Sequence, residues 1–285
     1  IIKKIFYVHH FIKKKNIDCI INVDTGLGFF GIIASVFTKC KVITWEHANY
    51  YNNWNSKIFP YLRIFAAKYS DIMVVLTEKD KFNYSKNIKS KKPIYVIPNP
   101  IKKNNFKYDI TSKIILSAGF LTPIKQFDLI IDLSKKLFLK YPNWRWVICG
   151  DGPERKKLEE LINYNYLQNN VYILGDIKDM ENQYKKASFY VMTSKMEGLP
   201  MVLLEAKSWG LPLVSFDIMT GPSDIINNNL NGYLIEPYNL DEMYKKIEQL
   251  IIDRDLRLKF SKNSQIGIDK FNLKNIIERW RNIIQ

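Results

Sequence analysis

From Lys113 onward the chain alternates short apolar runs with amphipathic stretches. The runs Lys113–Phe120, Trp144–Gly150, Val171–Gly175, Phe189–Ser194, Pro212–Asp217 and Gly232–Glu236 are rich in Val, Ile and aromatics. They are apolar along their length, as strands buried on both faces are. Between them, Phe127–Lys140, Glu154–Tyr166, Met180–Ala187, Met201–Trp209 and Leu240–Asp253 carry a helical pattern. This alternation predicts an α/β fold, with parallel strands covered by helices on both faces. The first third repeats the theme, with strands predicted at Cys19–Val23, Lys41–Trp45, Ile72–Leu76 and Ile94–Ile97. Pro98–Asp109 has no periodicity and reads as a linker between two α/β domains. The final stretch predicts a helix with Ile276, Ile277, Trp280, Ile283 and Ile284 on one face. The expected organisation is an amino-terminal domain over 1–108, a second domain over 109–270, and a helix over 271–285 that packs back toward the first.

Composition narrows the class. A length of 285 residues suits two domains, and 47% hydrophobic residues excludes disordered and low-complexity chains. The net charge of +15 favours polyanionic partners, or reflects a bias toward Ile, Lys and Asn with no partner behind it. No recognition helix or RNA-binding signature supports nucleic acid. Cys19, Cys40 and Cys149 are scattered and form neither a disulfide framework nor a metal knuckle, so a reducing, cytoplasmic location is expected. The longest apolar stretch, Phe29 to Phe37, is only about half of what a bilayer span requires. Asn53–Ser70 interleaves Trp54, Phe59, Tyr61, Phe65 and Tyr69 with Lys57, Arg63 and Lys68. That pattern suits a helix lying on an anionic membrane, or a core-facing helix with a basic solvent side.

The chemistry concentrates in Ser194–Ala206. This segment follows a predicted strand and opens a predicted helix, with Pro200 suited to the first turn. Glu197 then sits in the loop before the helix and Glu205 on its second turn. The free N–H groups of the first turn and the helix dipole suit a phosphate-bearing ligand. Two carboxylates beside them would repel phosphate directly and suit hydroxyls, as on a sugar or ribose.

The pair Glu197 and Glu205, spaced Glu-x7-Glu within Glu-Gly-Leu-Pro-Met-Val-Leu-Leu-Glu-Ala, resembles the signature of the retaining GT-B glycosyltransferases of family 4. Other segments agree in order. Pro98-Asn99-Pro100 resembles the family's Pro-Asn-Gly, and Ser117 to Asp128 its Gly-Arg-Leu…Lys-Gly-Phe-Asp. Cys149-Gly150-Asp151-Gly152-Pro153-Glu154 is similar to its Gly-x-Gly-Pro loop. Gly221 to Ile226, followed by Asn231-Gly232-Tyr233-Leu234, resembles the subgroup that builds bacterial surface polysaccharides. The resemblance implies two Rossmann-like domains with a cleft between them. It also implies transfer of a hexose from a UDP-sugar, with retention, to a glycan or lipid-diphosphate-linked acceptor at the inner face of the plasma membrane. By resemblance Glu197 holds donor-sugar hydroxyls, Glu205 holds the ribose, and Lys125 neutralises the departing diphosphate. Backbone N–H groups of Gly119, Gly198 and Leu199 cradle phosphate, and His47, after strand Lys41–Trp45, lines the cleft near sugar and acceptor. No cofactor or metal is implied. The Asp253-Arg254-Asp255 triplet falls between two helices rather than after a strand. Two departures stand out: Phe120 replaces an Arg of the family, and Gln126 replaces the Gly after Lys125. A lone Lys supplies a point charge without bidentate geometry.

One rival fingerprint exists. Gly26-Leu27-Gly28-Phe29-Phe30-Gly31 follows strand Cys19–Val23, and Glu46 ends the next strand, the pattern of an NAD-binding unit. Asp24 and Thr25 loosen its turn, so the alternative expectation is that Gly26, Gly28 and Gly31 let a loop approach closely in the cleft. The amino-terminal domain also looks incomplete, because the chain opens inside a predicted helix and lacks the first strands a family member would have. A truncated transferase that only binds nucleotide sugar is therefore a further expectation.

Overall fold

The computed structural model describes residues 2–52 and 56–285, and its contacts divide the chain into two units. One runs to Pro100 and takes in Leu273–Gln285; the other is Ile101–Asn272. The elements are α1 (Ile2–Lys15), β1 (Cys19–Val23), α2 (Thr25–Ser35), β2 (Lys41–Trp45), α3 (Phe59–Tyr69), β3 (Ile72–Val75), α4 (Glu78–Asn87) and β4 (Ile94–Val96). There follow β5 (Ile114–Ala118), α5 (Asp128–Lys140), β6 (Arg145–Cys149), α6 (Arg155–Tyr164), β7 (Val171–Gly175), α7 (Met180–Lys186) and β8 (Phe189–Met192). Then come α8 (Met201–Ser208), β9 (Leu213–Phe216), α9 (Pro222–Ile225), β10 (Gly232–Ile235), α10 (Leu240–Ile252), α11 (Arg254–Ser264) and α12 (Leu273–Ile284). Both sheets are parallel, which makes each unit Rossmann-like.

In the first unit the described residues form a four-stranded sheet in the order β1-β2-β3-β4. Strand alternation assigns the faces. Ile43, Ile72 and Val74 point to one side, where Ile276 and Ile283 of α12 cover them with Trp280. Val42, Met73 and Val75 point to the other, against Ala66 and Ala67 of α3 and Tyr84 and Ile88. Ile277 and Ile284 of α12, expected on the covered face, are 40% exposed. Two of the cations in the basic aromatic stretch, Lys57 and Lys68, are exposed, but Arg63 is buried between the rings of Tyr50 and Phe59. Its guanidinium donates to the carbonyl of Asn52, so it belongs to the interior and not to a basic solvent face. Trp54 lies outside the described residues.

The glycines of the rival fingerprint line no loop. α2 begins at Thr25, one residue before Gly26, with Asp24 capping it through the Gly26 amide at 2.7 Å. A Cβ on Gly31 would lie 2.0 Å from Oδ1 of the buried Asn22, and one on Gly28 would lie 2.8 Å from Thr44 Oγ1. These residues let a helix press against its sheet. The dinucleotide turn is absent because the helix leaves no glycine-rich segment after the strand.

The second unit carries, among the described residues, six strands in the order β10-β9-β8-β5-β6-β7. Read in chain order this is the doubly wound 3-2-1-4-5-6 arrangement, which reverses direction between β5 and β8. Ile115, Trp146, Ile148, Phe189 and Val191 form its centre, with α5 and α10 contributing Ile130, Leu137, Ile247 and Leu250. Residues 101–108, expected as linker, pack on this unit. Asn104 bonds Ser208 at 2.9 Å, and Tyr108 donates to the Ser188 carbonyl at 2.6 Å. The Phe106 ring fills the space over Gly210, where a Cβ would meet it at 2.0 Å. Asp253 caps α11 through the Leu256 amide at 2.8 Å, which accounts for that carboxylate of the Asp-x-Asp. Among the described residues no helix is long and apolar enough to cross a membrane.

Ala normally stabilises a helix interior relative to Gly by about 1 kcal/mol. At Gly31 the clash with Asn22 reverses that sign. Gly31→Ala is expected to lower stability by about 1–3 kcal/mol, read from urea denaturation; a more stable variant would refute the close packing of α2.

Candidate functional site

The strand order reverses between β5 and β8, so the loops after their carboxyl ends flank a crevice, the place where open α/β sheets bind ligands. The loop after β5 carries Gly119, Phe120 and Lys125; the loop after β8 carries Glu197, Gly198 and Leu199 and leads into α8. Hydrogen bonds stitch the two together. The Lys195 amide donates to the Ile124 carbonyl at 2.8 Å, and Thr193 Oγ1 donates to the Lys125 carbonyl at 3.0 Å. Thr220 Oγ1 holds the Glu197 carbonyl at 2.5 Å from the far side.

Lys125 Nζ and Glu197 Oε1 form an ion pair at 2.6 Å, with both side chains largely covered. Glu205 sits on the second turn of α8, and its Oε2 accepts from Tyr184 at 2.8 Å. A cavity of about 370 Å³ opens beside them, lined by Gly119, Phe120, Asp151, Asp176, Tyr184 and Glu205 among others. Such a volume suits a nucleotide-sized ligand. Burial pushes the Cys149 thiol on its wall up to about 11, so that group stays neutral. Burial also raises the phenols of Tyr184 and Tyr190.

The amides sort differently from the expectation. Gly119 N–H donates to the Cys149 carbonyl at 2.9 Å, which extends the β5–β6 ladder and removes it as a phosphate donor. The next amide, that of Phe120, has no hydrogen-bond acceptor among the described residues, nor do those of Gly198 and Leu199. Pro200 occupies the N-cap of α8 rather than its first turn. Phe120 is 62% exposed at the rim. Gln126, where the family has Gly, takes the left-handed conformation at φ 50°, which costs an L-residue about 1 kcal/mol.

Sequence reasoning missed Tyr184 and Tyr190. Tyr184 is the one large ring on the charged helix Met-Glu-Asn-Gln-Tyr-Lys-Lys, a signal for burial but not for what its hydroxyl touches.

His47 belongs to the first unit, just past the carboxyl end of β2. Its ring lies against Trp45 with centroids 4.3 Å apart, and its Nε2 is buried with no hydrogen-bond partner among the described residues. Burial lowers its pKa, against the pull of the Asp24 carboxylate, so the ring is neutral near pH 7. His9 Nδ1 lies 2.9 Å from the Ala34 carbonyl, a contact between α1 and α2.

Residues 100–266 match the family model described as glycosyl transferases group 1. The chain belongs to that family. An uncharacterised glycosyltransferase of Haemophilus influenzae is 31% identical over 96% of this chain and 78% of its own length. The amylovoran biosynthesis glycosyltransferase AmsD of Erwinia amylovora is 32% identical over 78% of this chain and 64% of its own length. Among solved structures, a variant of Staphylococcus aureus TarM in complex with Fondaparinux, alpha-GlcNAc-glycerol and UDP superposes with a TM-score of 0.89. It is 26% identical and matches 99% of this chain, which spans 59% of that protein. The fold of this group 1 glycosyltransferase is GT-B, built from two Rossmann-like domains.

Glu46, the residue before His47, is completely buried. Its Oε1 accepts from the Ala48 amide at 2.9 Å, and Tyr84 donates to Oε2 at 3.4 Å. Burial raises its pKa from 4.5 to about 7, with Asp24 adding to the shift and the Ala48 amide and Arg63 opposing it. Between these two values the folded chain keeps a proton that the unfolded chain has released. Stability therefore falls as pH rises through that window and levels off above it. Glu46→Gln is expected to flatten the slope and to be more stable above neutral pH by up to about 3 kcal/mol. Denaturation curves at about pH 5 and about pH 8 measure this, and an unchanged slope would exclude Glu46 as its source.

Proposed function

We propose that this chain is a retaining hexosyltransferase that uses a UDP-sugar donor to extend a cell-surface glycan, free or carried on a lipid diphosphate. The observation that carries the proposal is the convergence of Lys125, Glu197 and Glu205 at the point where the second sheet reverses direction. Unbonded amides of Gly198 and Leu199 beside the start of α8 support a diphosphate there. The UDP and alpha-linked sugar held by TarM, and the polysaccharide in the name of AmsD, support the donor and acceptor classes.

The chemistry follows from charge. As the sugar–phosphate bond breaks, negative charge grows on the leaving diphosphate. Lys125 and the amides are positioned to stabilise it, an electrostatic contribution that commonly dominates such reactions. Glu197 then accepts hydroxyls of the sugar and Glu205 those of the ribose. Lys125 meets phosphate either by leaving Glu197 or by bridging the two with its three donors, so donor binding competes with or extends that ion pair. Neutral His47 is assigned to the sugar and acceptor. Because the cation and the amides carry the charge, transfer is expected to proceed without a divalent ion. A cytoplasmic reaction next to the membrane suits a lipid-linked acceptor, and α1 supports contact there by exposing Phe6, Tyr7 and Phe11 among lysines.

Calorimetric titration with UDP and with NAD separates this reading from the dinucleotide one; binding of NAD without UDP would sink it. Glu205→Ala is expected to weaken UDP about 10- to 100-fold. Lys125→Ala should lower sugar transfer about 100-fold or more with UDP-hexoses and lipid-diphosphate acceptors, and unchanged turnover would refute its role. In the same assay chelation by EDTA leaves the rate intact, and Phe120→Arg raises it, since a guanidinium grips phosphate through two bonds.

A further inference from the structure

Glu205 is not held by its helix alone. Tyr184, on α7 and only 2% exposed, donates to Oε2 at 2.8 Å and lies 3.5 Å from the Val202 carbonyl. Its neighbour Tyr190, at a ring distance of 6.4 Å, is occupied elsewhere. The Tyr190 hydroxyl accepts from the Ala118 amide at 3.0 Å and donates to the Ala118 carbonyl at 3.1 Å. One phenol pins the end of β5 while the other pins the carboxylate. An ionised carboxylate is acceptor-only, so the Tyr184 proton points at Oε2. Oε1 has no hydrogen-bond partner among the described residues, and the Glu205 side chain lines the cavity.

We propose that Tyr184 is a positioning residue whose hydroxyl fixes the Glu205 carboxylate so that it accepts from the nucleotide's ribose hydroxyls, making the site selective for ribonucleotides over deoxyribonucleotides. This rests on the donor-site reading above and adds to it a residue outside the Glu-x7-Glu signature. A carboxylate on a flexible stem samples many orientations. A charge-assisted bond to a buried, rigid phenol removes most of them before the ligand arrives. Tyr184 lines the same cavity, but its hydroxyl is turned to Glu205, and its effect on the ribose travels through that carboxylate.

The test uses the full chain with two probes, UDP and 2′,3′-dideoxyuridine 5′-diphosphate, which lacks both hydroxyls. Wild type is expected to prefer UDP by about tenfold or more. Tyr184→Phe keeps the ring and removes the hydroxyl. It should weaken UDP about five- to tenfold while leaving the dideoxy probe within about twofold, so that the preference collapses. Glu205→Gln, a second variant that leaves Tyr184 in place, should collapse the same preference with the dideoxy probe again unaffected. A Tyr184→Phe chain with the wild-type preference overturns the proposal. So does one that loses both nucleotides equally, which is the mark of a purely structural role. A wild-type chain that binds neither probe overturns the donor-site reading, and this inference with it.

Discussion

The site in the second unit depends on two stretches of main chain touching with no side chain between them. After β5 and β6 the backbone at Gly119 and Gly150 runs at φ 153° and 145°, conformations that L-residues with side chains rarely adopt. A Cβ on Gly150 would sit 1.9 Å from the Gly119 carbonyl oxygen, so nothing larger fits. The contact is held by the Gly119 amide on Cys149 and the Gly150 amide on Gly175, which tie together the ends of three strands. Leu121, two residues on, donates to the Asp151 carbonyl at 2.8 Å. With its floor fixed in this way and its far end bonded by Lys195 and Thr193, the loop after β5 brings Lys125 to Glu197.

The ion pair at the end of that route bears on selectivity. A half-buried lysine with no partner would attract any phosphate that reached it. Paired with Glu197 at 2.6 Å, it gives up a favourable contact whenever an anion draws it away. A ligand recovers the loss by offering phosphate to Lys125 and hydroxyls to Glu197 at once. On the proposed function a nucleotide sugar does this and free phosphate does not. The same logic makes Phe120 informative. An apolar ring at the rim adds contact area without charge, so on the proposed function Phe120 contributes no cation to a diphosphate.

Much of the fold was legible in the residues, and the reason is physical. Strands buried on both faces are apolar along their length, so β3, β8 and β9 fall within the runs Ile72–Leu76, Phe189–Ser194 and Pro212–Asp217. The edge strands β1 and β7 also match their runs, although Ile21, Val23 and Leu174 are exposed. Helix ends were less legible: α6 stops at Tyr164, short of Tyr166 at φ 56°, and α10 gives up Asp253 to the cap of α11. The spacing of Glu197 and Glu205 was readable because a helix turns spacing into position. Contacts between distant segments were not. Whether Gly119 keeps its amide free depends on Cys149, thirty positions away in the chain but adjacent in the sheet. Arg63 looked like a solvated cation, since nothing local reveals the rings of Tyr50 and Phe59 around it. The glycines of the rival fingerprint matched a pattern written for a loop, whereas the Asp24 cap starts the helix a residue too early for one. Phe106 looked like linker until Gly210 was found beneath it.

The two units use the carboxyl ends of their strands in opposite ways. In the second, the amides of Phe120, Gly198 and Leu199 have no acceptor among the described residues, and Lys125 is paired with Glu197. In the first, the end of β2 carries a buried acid, Glu46, and a histidine whose Nε2 has no partner among the described residues. An unsatisfied buried polar atom costs about 1–3 kcal/mol, more than most single contacts contribute. Folds retain such atoms rarely, and each one asks for a reason. For His47 the acid before it supplies part of the answer. Glu46 bonds the Ala48 amide and Tyr84, so the backbone on both sides of the ring is held while the ring nitrogen is left unbonded. On the proposed function, a substrate hydroxyl reaching that nitrogen would complete a hydrogen bond left open among the described residues, and so would gain more from the contact than it could at a satisfied surface group.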